Sequence, residues 1–290
     1  MNKKKTINIL VTCIVFLSII ASSLGLFSNQ GSGKYEFKAL HGNTVTIYGK
    51  GLYQNDSVAM AAQGRSQDAV TLFIGIPLLL ISLYLLNKKS LKGKLLLTGT
   101  LGYFLYTYTS YAFLSMFNPL FLVYVILMSM NFFAFTIMLL SFDMKNLSSS
   151  FDEKLPVKLI GGFLFSIAAA IGLMWLKIIV SPILAGIVPE QLEHYTTMPI
   201  QALDLGFIVP ASVLAGLLIL KRKPLGYLLS SVLIIKGITL LTAITAMIIG
   251  QAAAGIKVDL ATMIIFPVFD LAACYPLYII LKSVKEVRNI

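Results

Sequence analysis

Two ionisable residues stand alone in long apolar runs, Lys236 in LLSSVLIIKGITLLTAITAM and Asp270 in FPVFDLAACYP. A charge at a bilayer centre costs about 2.5–3.5 kcal/mol on insertion scales, so such a residue faces a partner or a cavity. Lys236 lies 11 residues into its run and Asp270 lies 11 residues past Asp259. At about 1.5 Å per helical residue, both reach a depth near 16 Å, the middle of a hydrocarbon core about 30 Å thick. The runs are consecutive and joined by a short link, so their helices are expected to be neighbours and the two charges to meet. A buried Lys–Asp pair either fastens two helices or serves a proton relay or substrate site. Pro267 and Pro276 flank Asp270, and Pro210 falls in an earlier run; interrupted helices of this kind line transporter sites. Asp270, Cys274 and Tyr278 share a helical face, but that trio specifies no reaction.

A second constellation is built of hydroxyls. In LGYFLYTYTSYAFLSMF, residues Tyr103, Tyr106, Thr107, Ser110 and Tyr111 fall on one helical face, spanning roughly 140° of arc. Such a face either hydrogen-bonds to neighbouring helices or lines a polar cavity. Tyr124 and Asn131, seven residues apart on the next run, are expected to complete it. A third group is acidic: AGIVPEQLEHYTTMPIQALD gathers Glu190, Glu193, His194 and Asp204, with Trp175 and Lys177 just upstream. Glu190 and His194 are spaced i, i+4, but there is no HExxH and no further His, so no metal is expected. Lys177 reads as an interfacial anchor or as a partner for Asp204. No P-loop, G-x-S-x-G or CxxC occurs, and no His lies inside an apolar run, which excludes a bis-His haem. No cofactor is expected. Cys13 and Cys274 lack ligand spacing and read as small buried apolar residues.

The elements that must position these groups are long apolar segments. The 290 residues are 58% hydrophobic and 12% charged, with mean hydropathy +0.87; soluble chains carry about 25% charge. Runs of spanning length fall at 7–27, 68–87, 95–117, 119–140, 158–183, 201–220, 225–250 and 259–281. Continuous runs of this kind cross a bilayer as helices. The expected fold is an all-α polytopic membrane protein with eight transmembrane helices, in one integral membrane domain over 1–290. With both termini cytoplasmic, 16 of the 23 Lys and Arg fall at cytoplasmic ends and links. That distribution follows the positive-inside pattern. It accounts for the net charge of +11 without nucleic acid. Lys3–Lys5, an apolar stretch and Ala21-Ser22-Ser23 resemble a cleavable signal sequence, although the run through Phe27 is long enough to remain as a span.

Residues 28–67 form the largest polar piece, placed outside. Tyr35–Leu40 and Thr44–Tyr48, joined around Gly42-Asn43, predict a small extracytoplasmic β-hairpin. QNDSVAMAAQGRSQD predicts a short interfacial helix capped by Asp56 or Ser57. Two readings stand for a further match: at an offset of 133, Asp68–Leu96 matches Gln201–Leu229, aligning Pro77 with Pro210, Lys88-Lys89 with Lys221-Arg222 and Gly93 with Gly226, either as two ordinary positive-inside turns in Leu-rich segments or as an internal repeat. The repeat reading implies two parallel four-helix halves, 1–140 and 158–282, an arrangement found in transporters.

The runs GKGLYQNDS, QGRSQDAVTL, GYFLYTY and FNPLFLVY resemble uncharacterised prokaryotic multi-pass membrane proteins over most of 35–285. That resemblance implies a membrane class and no catalytic residues. From the residues themselves, the leading expectation is a secondary transporter or permease for a small solute, with Asp270 and Lys236 as its coupling pair, in contact with the lipid bilayer of a cell membrane. The alternative is a sensor or assembly subunit whose external hairpin binds a ligand or protein partner. A membrane enzyme using the acidic loop is the weakest of the three.

Overall fold

The computed structural model describes residues 3–286; residues 1–2 and 287–290, with Arg288 of the basic tail, lie outside the described part. Eight long helices follow in order: α1 Lys3–Phe27, α2 Val58–Asn87, α3 Leu91–Leu114, α4 Phe121–Leu139, α5 Val157–Ala185, α6 Pro199–Leu220, α7 Pro224–Ala253 and α8 Leu260–Ser283. Their starts are set by local chemistry. Ser57, Ser90 and Asp259 accept hydrogen bonds from the backbone N–H groups of Met60, Gly93 and Thr262, which satisfies donors that a helix N-terminus leaves open. Pro199 and Pro224 occupy first-turn positions, where a missing N–H costs nothing.

Seven of these helices are long and apolar enough to cross a membrane, and α3 is the exception. Among the described residues, the eight expected spans therefore correspond to seven helices apolar enough to cross a membrane and one long, hydroxyl-rich helix. Its composition follows from its position. It packs against α2, α4 and α7 and touches α6, and 13 of its 24 residues are buried. A helix surrounded by protein keeps Thr98, Thr100, Tyr103 and Thr107 out of lipid. The outward faces of the other helices present large apolar side chains such as Phe16, Leu173 and Leu271, so lipid contact follows from the fold.

The first turn of α1 and the segment after α8 lie at one end of the bundle, with Lys4 Nζ donating to the Asn87 carbonyl at the end of α2. Phe151 bridges Val284, and Lys285 N–H donates to the Ser150 carbonyl. The Glu286 carboxylate accepts from Ser90 Oγ at 2.6 Å and from the Leu91 and Lys92 N–H groups, so the tail caps α3. The hairpin and the links 115–120, 186–198 and 254–259 lie at the opposite, hairpin end.

Two strands, β1 Tyr35–Lys38 and β2 Thr44–Ile47, pair antiparallel with Tyr35 opposite Ile47. Gly42, at φ +89, closes the turn in a conformation that L side chains disfavour. An isolated hairpin is marginal in water; this one docks through Ile47, which is buried and bridges Ser57. The segment after it differs from expectation. Residues 58–67 are the first turns of α2 rather than a separate interfacial helix, because Ser57 starts the helix and no proline interrupts it before Pro77.

The local backbone recurs 133 residues apart. α2 contains a π-helical turn at Thr71–Gly75 and α6 one at Asp204–Ile208. Both helices then run 12 α-helical residues to a basic turn in which Lys89 and Arg222 adopt positive φ. Gly93 and Gly226 follow, each packed against the end of the preceding helix, at Leu85–Leu86 and Leu218–Ile219 respectively.

Candidate functional site

A cavity of about 470 Å³ runs from mid-bundle to the hairpin end. α3, α5, α6, α7 and α8 wall it, and the first turns of α2 close one side. It exists because α6 touches α3 only at its first turns, while α2 lies along α7 extensively. α8 approaches α5 only slightly, whereas α1 packs well on α4.

At mid-bundle depth the cavity wall holds Lys236, 5% exposed. Its stem passes Gly102 of α3, and its ammonium sits 3.9 Å from the centroid of the Tyr106 ring. A desolvated cation on an aromatic face is stabilised by about 2 kcal/mol. Tyr106 OH donates to Asp204 Oδ1 at 2.8 Å, and Trp175 Nε1 donates to Asp204 Oδ2, also at 2.8 Å. Four helices thus supply one cluster: α7 the cation, α3 the ring, α6 the carboxylate and α5 the indole. Asp204 is buried and opens the π-helical turn of α6. No Lys236 nitrogen lies within ion-pair distance, 4.0 Å, of a described carboxylate oxygen; the Tyr106 ring stands between the ammonium and Asp204 as their shared neighbour.

Positions 71 and 103 stand 133 residues before 204 and 236. There a neutral pair occupies the same two backbone sites: the Thr71 hydroxyl and Tyr103 OH are hydrogen-bonded at 2.9 Å, and Gln67 Nε2 donates to Tyr103 OH at 2.6 Å. That side of the bundle is filled. Asp68, 1% exposed, accepts from Tyr53 OH at 2.6 Å and Tyr111 OH at 3.1 Å. Gly25 of α1 lies so close to Asp68 that an added Cβ would collide with the carboxylate.

A latch of loop residues stands at the hairpin end. Asp56 Oδ1 accepts from Tyr195 OH at 2.8 Å and from Met116 N–H at 3.1 Å, while Oδ2 is buried without a partner. Burial pushes the Asp56 carboxyl up to about 6, against the lowering by those two hydrogen bonds. His194 Nε2 lies 3.0 Å from the Asn55 carbonyl oxygen, and its ring meets Phe37 of the hairpin edge-on.

The residues singled out from sequence separate. Tyr106, Thr107, Ser110 and Tyr111 line the cavity. Tyr103 turns instead to Gln67 and Thr71. Tyr124 and Asn131 are buried against α1 and α3 rather than completing a cavity face; the Tyr124 ring stacks with Tyr108 and meets Tyr111 edge-on, and Asn131 Nδ2 donates to its own helix at Leu127. Lys236 and Asp270 are not brought together. Asp270 is half-buried and its side chain takes a hydrogen bond from Thr242 Oγ1 at 3.4 Å, while Cys274 and Tyr278 on its face are exposed. Cys13 is exposed as well. The acidic group also divides: Asp204 enters the cavity, Glu190 and Lys177 are exposed, and Glu193 and His194 stay in the loop. Among the described residues no cluster of three or more His, Cys, Asp or Glu is placed to hold a metal.

Asp68, Gln67 and Trp175 join these networks without a sequence signal that marks them as site residues. Asp68 and Gln67 fall where an apolar run meets a polar stretch and read as helix-end residues. Trp175 reads as an interfacial anchor, yet its indole N–H is turned inward to Asp204. No protein-family model, curated protein or solved structure matches the chain. Its own helices make it a multi-pass membrane protein, with one cavity at which a cation, a carboxylate and two aromatic rings converge.

Proposed function

We propose that this protein is a secondary transporter or permease for a small solute, that all eight long helices cross the membrane, and that the solute site is the cavity at Lys236 and Asp204. The observation that carries this reading is the cluster itself. Small-ligand sites are apolar pockets of about 300–1,000 Å³ holding a few convergent polar groups. Intramembrane ionisable residues facing a cavity belong to pathways and relays. In this reading the two recurring units at an offset of 133 are like-oriented halves. The first, sealed by Thr71, Tyr103 and the Asp68 network, is a rigid wall. The second carries the charged equivalents and opens. Asp270, at the half-buried position on α8 beside Thr242, is a coupling residue of this second half, acting from the helix that lines the other side of the cavity.

The test is transport by reconstituted protein. Proteoliposomes loaded with a pH-sensitive dye are challenged separately with amino acids, monocarboxylates, amines and sugars. The expected result is a saturable, protein-dependent response to one class, lost in Asp204→Asn and altered in pH dependence in Asp270→Asn. A response that Asp270→Asn leaves unchanged removes that residue from coupling. No response to any class contradicts the carrier reading.

A second reading has its own observation. The hairpin exposes Tyr35, Phe37 and Leu40, the last 87% exposed, on the face that also contacts the 186–198 link. A sensor or assembly subunit would bind its partner there. Deleting Tyr35–Tyr53 would then abolish partner capture while leaving solute movement intact.

A further inference from the structure

We infer, resting on the carrier reading, that the solute is an amphipathic monocarboxylate: its carboxylate meets the Lys236 ammonium, and its apolar body lies between α5, α6 and α7. An ammonium has three N–H donors. Lys236 is nine-tenths buried and lines the cavity, yet no described residue accepts a hydrogen bond from it. The Tyr106 ring covers one side and leaves the donors unmet. Asp204, by contrast, has both oxygens engaged, by Tyr106 and Trp175. The unmet group at this depth is a donor with positive charge, and its complement is an anion. Charge-assisted hydrogen bonds of this kind are roughly twice as strong as neutral ones.

The rest of the wall selects the body of that anion. Leu164, Ile167, Ile171, Ile208, Leu240 and Ile244 line the space around the cluster. An inorganic anion would leave those walls facing water. A second carboxylate would be buried among them unpaired, at a cost of several kcal/mol or more. One carboxylate on an apolar body satisfies both ends. Gly237, next to Lys236 on the cavity wall, would carry a Cβ that meets no other element within 4 Å, so the wall beside Lys236 has open space.

Trp175 is the chain's single tryptophan and part of the cavity wall, so its emission reports occupancy directly. The experiment titrates the full-length protein in nanodiscs with hexanoate, hexanol and hexylammonium. Hexanoate is expected to change the emission saturably and to bind about ten-fold or more tighter than hexanol, with no saturable effect of hexylammonium. Lys236→Gln is expected to reduce hexanoate to the level of hexanol, and Lys236→Arg to retain it. Gly237→Leu, which fills open space, is expected to block hexanoate in a folded protein even if the Lys236 variants fail to fold. Equal binding of hexanol, tighter binding of hexylammonium, or hexanoate binding indifferent to Lys236→Gln or to Gly237→Leu would each overturn the inference. Failure of the carrier reading looks different: hexanoate bound as described but never moved across proteoliposomes overturns transport and leaves the ligand class standing. Movement of another solute class without hexanoate binding overturns only the ligand class.

Discussion

Asp56 shows how one side chain can tie loop structure to pH. It lies outside the helices, it is 2% exposed, and only one of its oxygens is hydrogen-bonded. Its folded-state value of about 6 lies above the ordinary 3.8, so the fold favours the protonated acid. Below about pH 4 both folded and unfolded chains hold that proton and the latch is fully stabilising. As pH rises through 6 the stabilisation is lost. Asp56→Asn, which mimics the protonated acid, is therefore expected to raise thermal stability at pH 7.5 by an amount equivalent to about 1–3 kcal/mol and to match the wild type near pH 4. Melting curves at the two pH values check this; a gap of the same size at both would contradict it. Residues such as Asp56 are poorly legible in sequence. QNDS reads as a helix start, and Ser57 does cap α2, but the partners of Asp56 come from 60 and 139 residues away. Lys236 teaches the same lesson. Its burial was legible from the apolar run around it. Its neighbours were not, because the link between α7 and α8 suggested Asp270 whereas the side chain leans across Gly102 onto α3.

Among the elements, α3 has the decisive place. It meets α7 at Gly99, where a Cβ would strike the Ile235 side chain and approach the Val232 carbonyl, and small residues at such crossings let helices approach closely. Gly99→Val is expected to cost about 1–3 kcal/mol by overpacking and to move Lys236 off the Tyr106 ring. Trp175 emission and melting temperature should change together; a wild-type value for both would show that the crossing is not tight. The N-terminus of α3 depends on the tail. Burial tends to raise the Glu286 carboxyl, but hydrogen bonds from Ser90 Oγ and the Lys92 and Leu91 N–H groups outweigh it and hold the group below the usual range. The ionised cap is thus present above the ordinary Glu range and is lost as pH falls through the lowered value. Glu286→Ala is expected to cost about 0.5–1 kcal/mol at neutral pH, with a shrinking difference in acid, read by thermal unfolding across pH. Most helices were legible because an apolar run of about 20 residues has few alternatives in lipid. The hairpin was legible from its Gly42-Asn43 turn. The extra turns at the start of α2 were not, since 58–67 is polar enough to read as interfacial, and its packing against α7 becomes visible only with both helices in place.

At the scale of the molecule, two stretches with the same turns and glycines differ in what they enclose. Thr71 and Tyr103 close the first with a neutral hydrogen bond, and the hydroxyl-rich surroundings of Asp68 fill the space beside it. Asp204 and Lys236 stand at the corresponding sites of the second, where α6 and α8 lean away and leave the cavity. The offset of 133 residues was visible in the prolines, basic turns and glycines. The difference in what the stretches enclose was not, because it lies in which neighbouring helices close the gaps. On the carrier reading, Lys236 lies at the inner end of a solute pathway entered from the hairpin end. The most direct test places a cysteine at Gly237 in a Cys13→Ser, Cys274→Ser background and adds a membrane-impermeant thiol reagent to the hairpin face of oriented proteoliposomes. Rapid labelling that hexanoate slows is expected. Labelling no faster than that of a cysteine placed at buried Leu127 on α4 would contradict it.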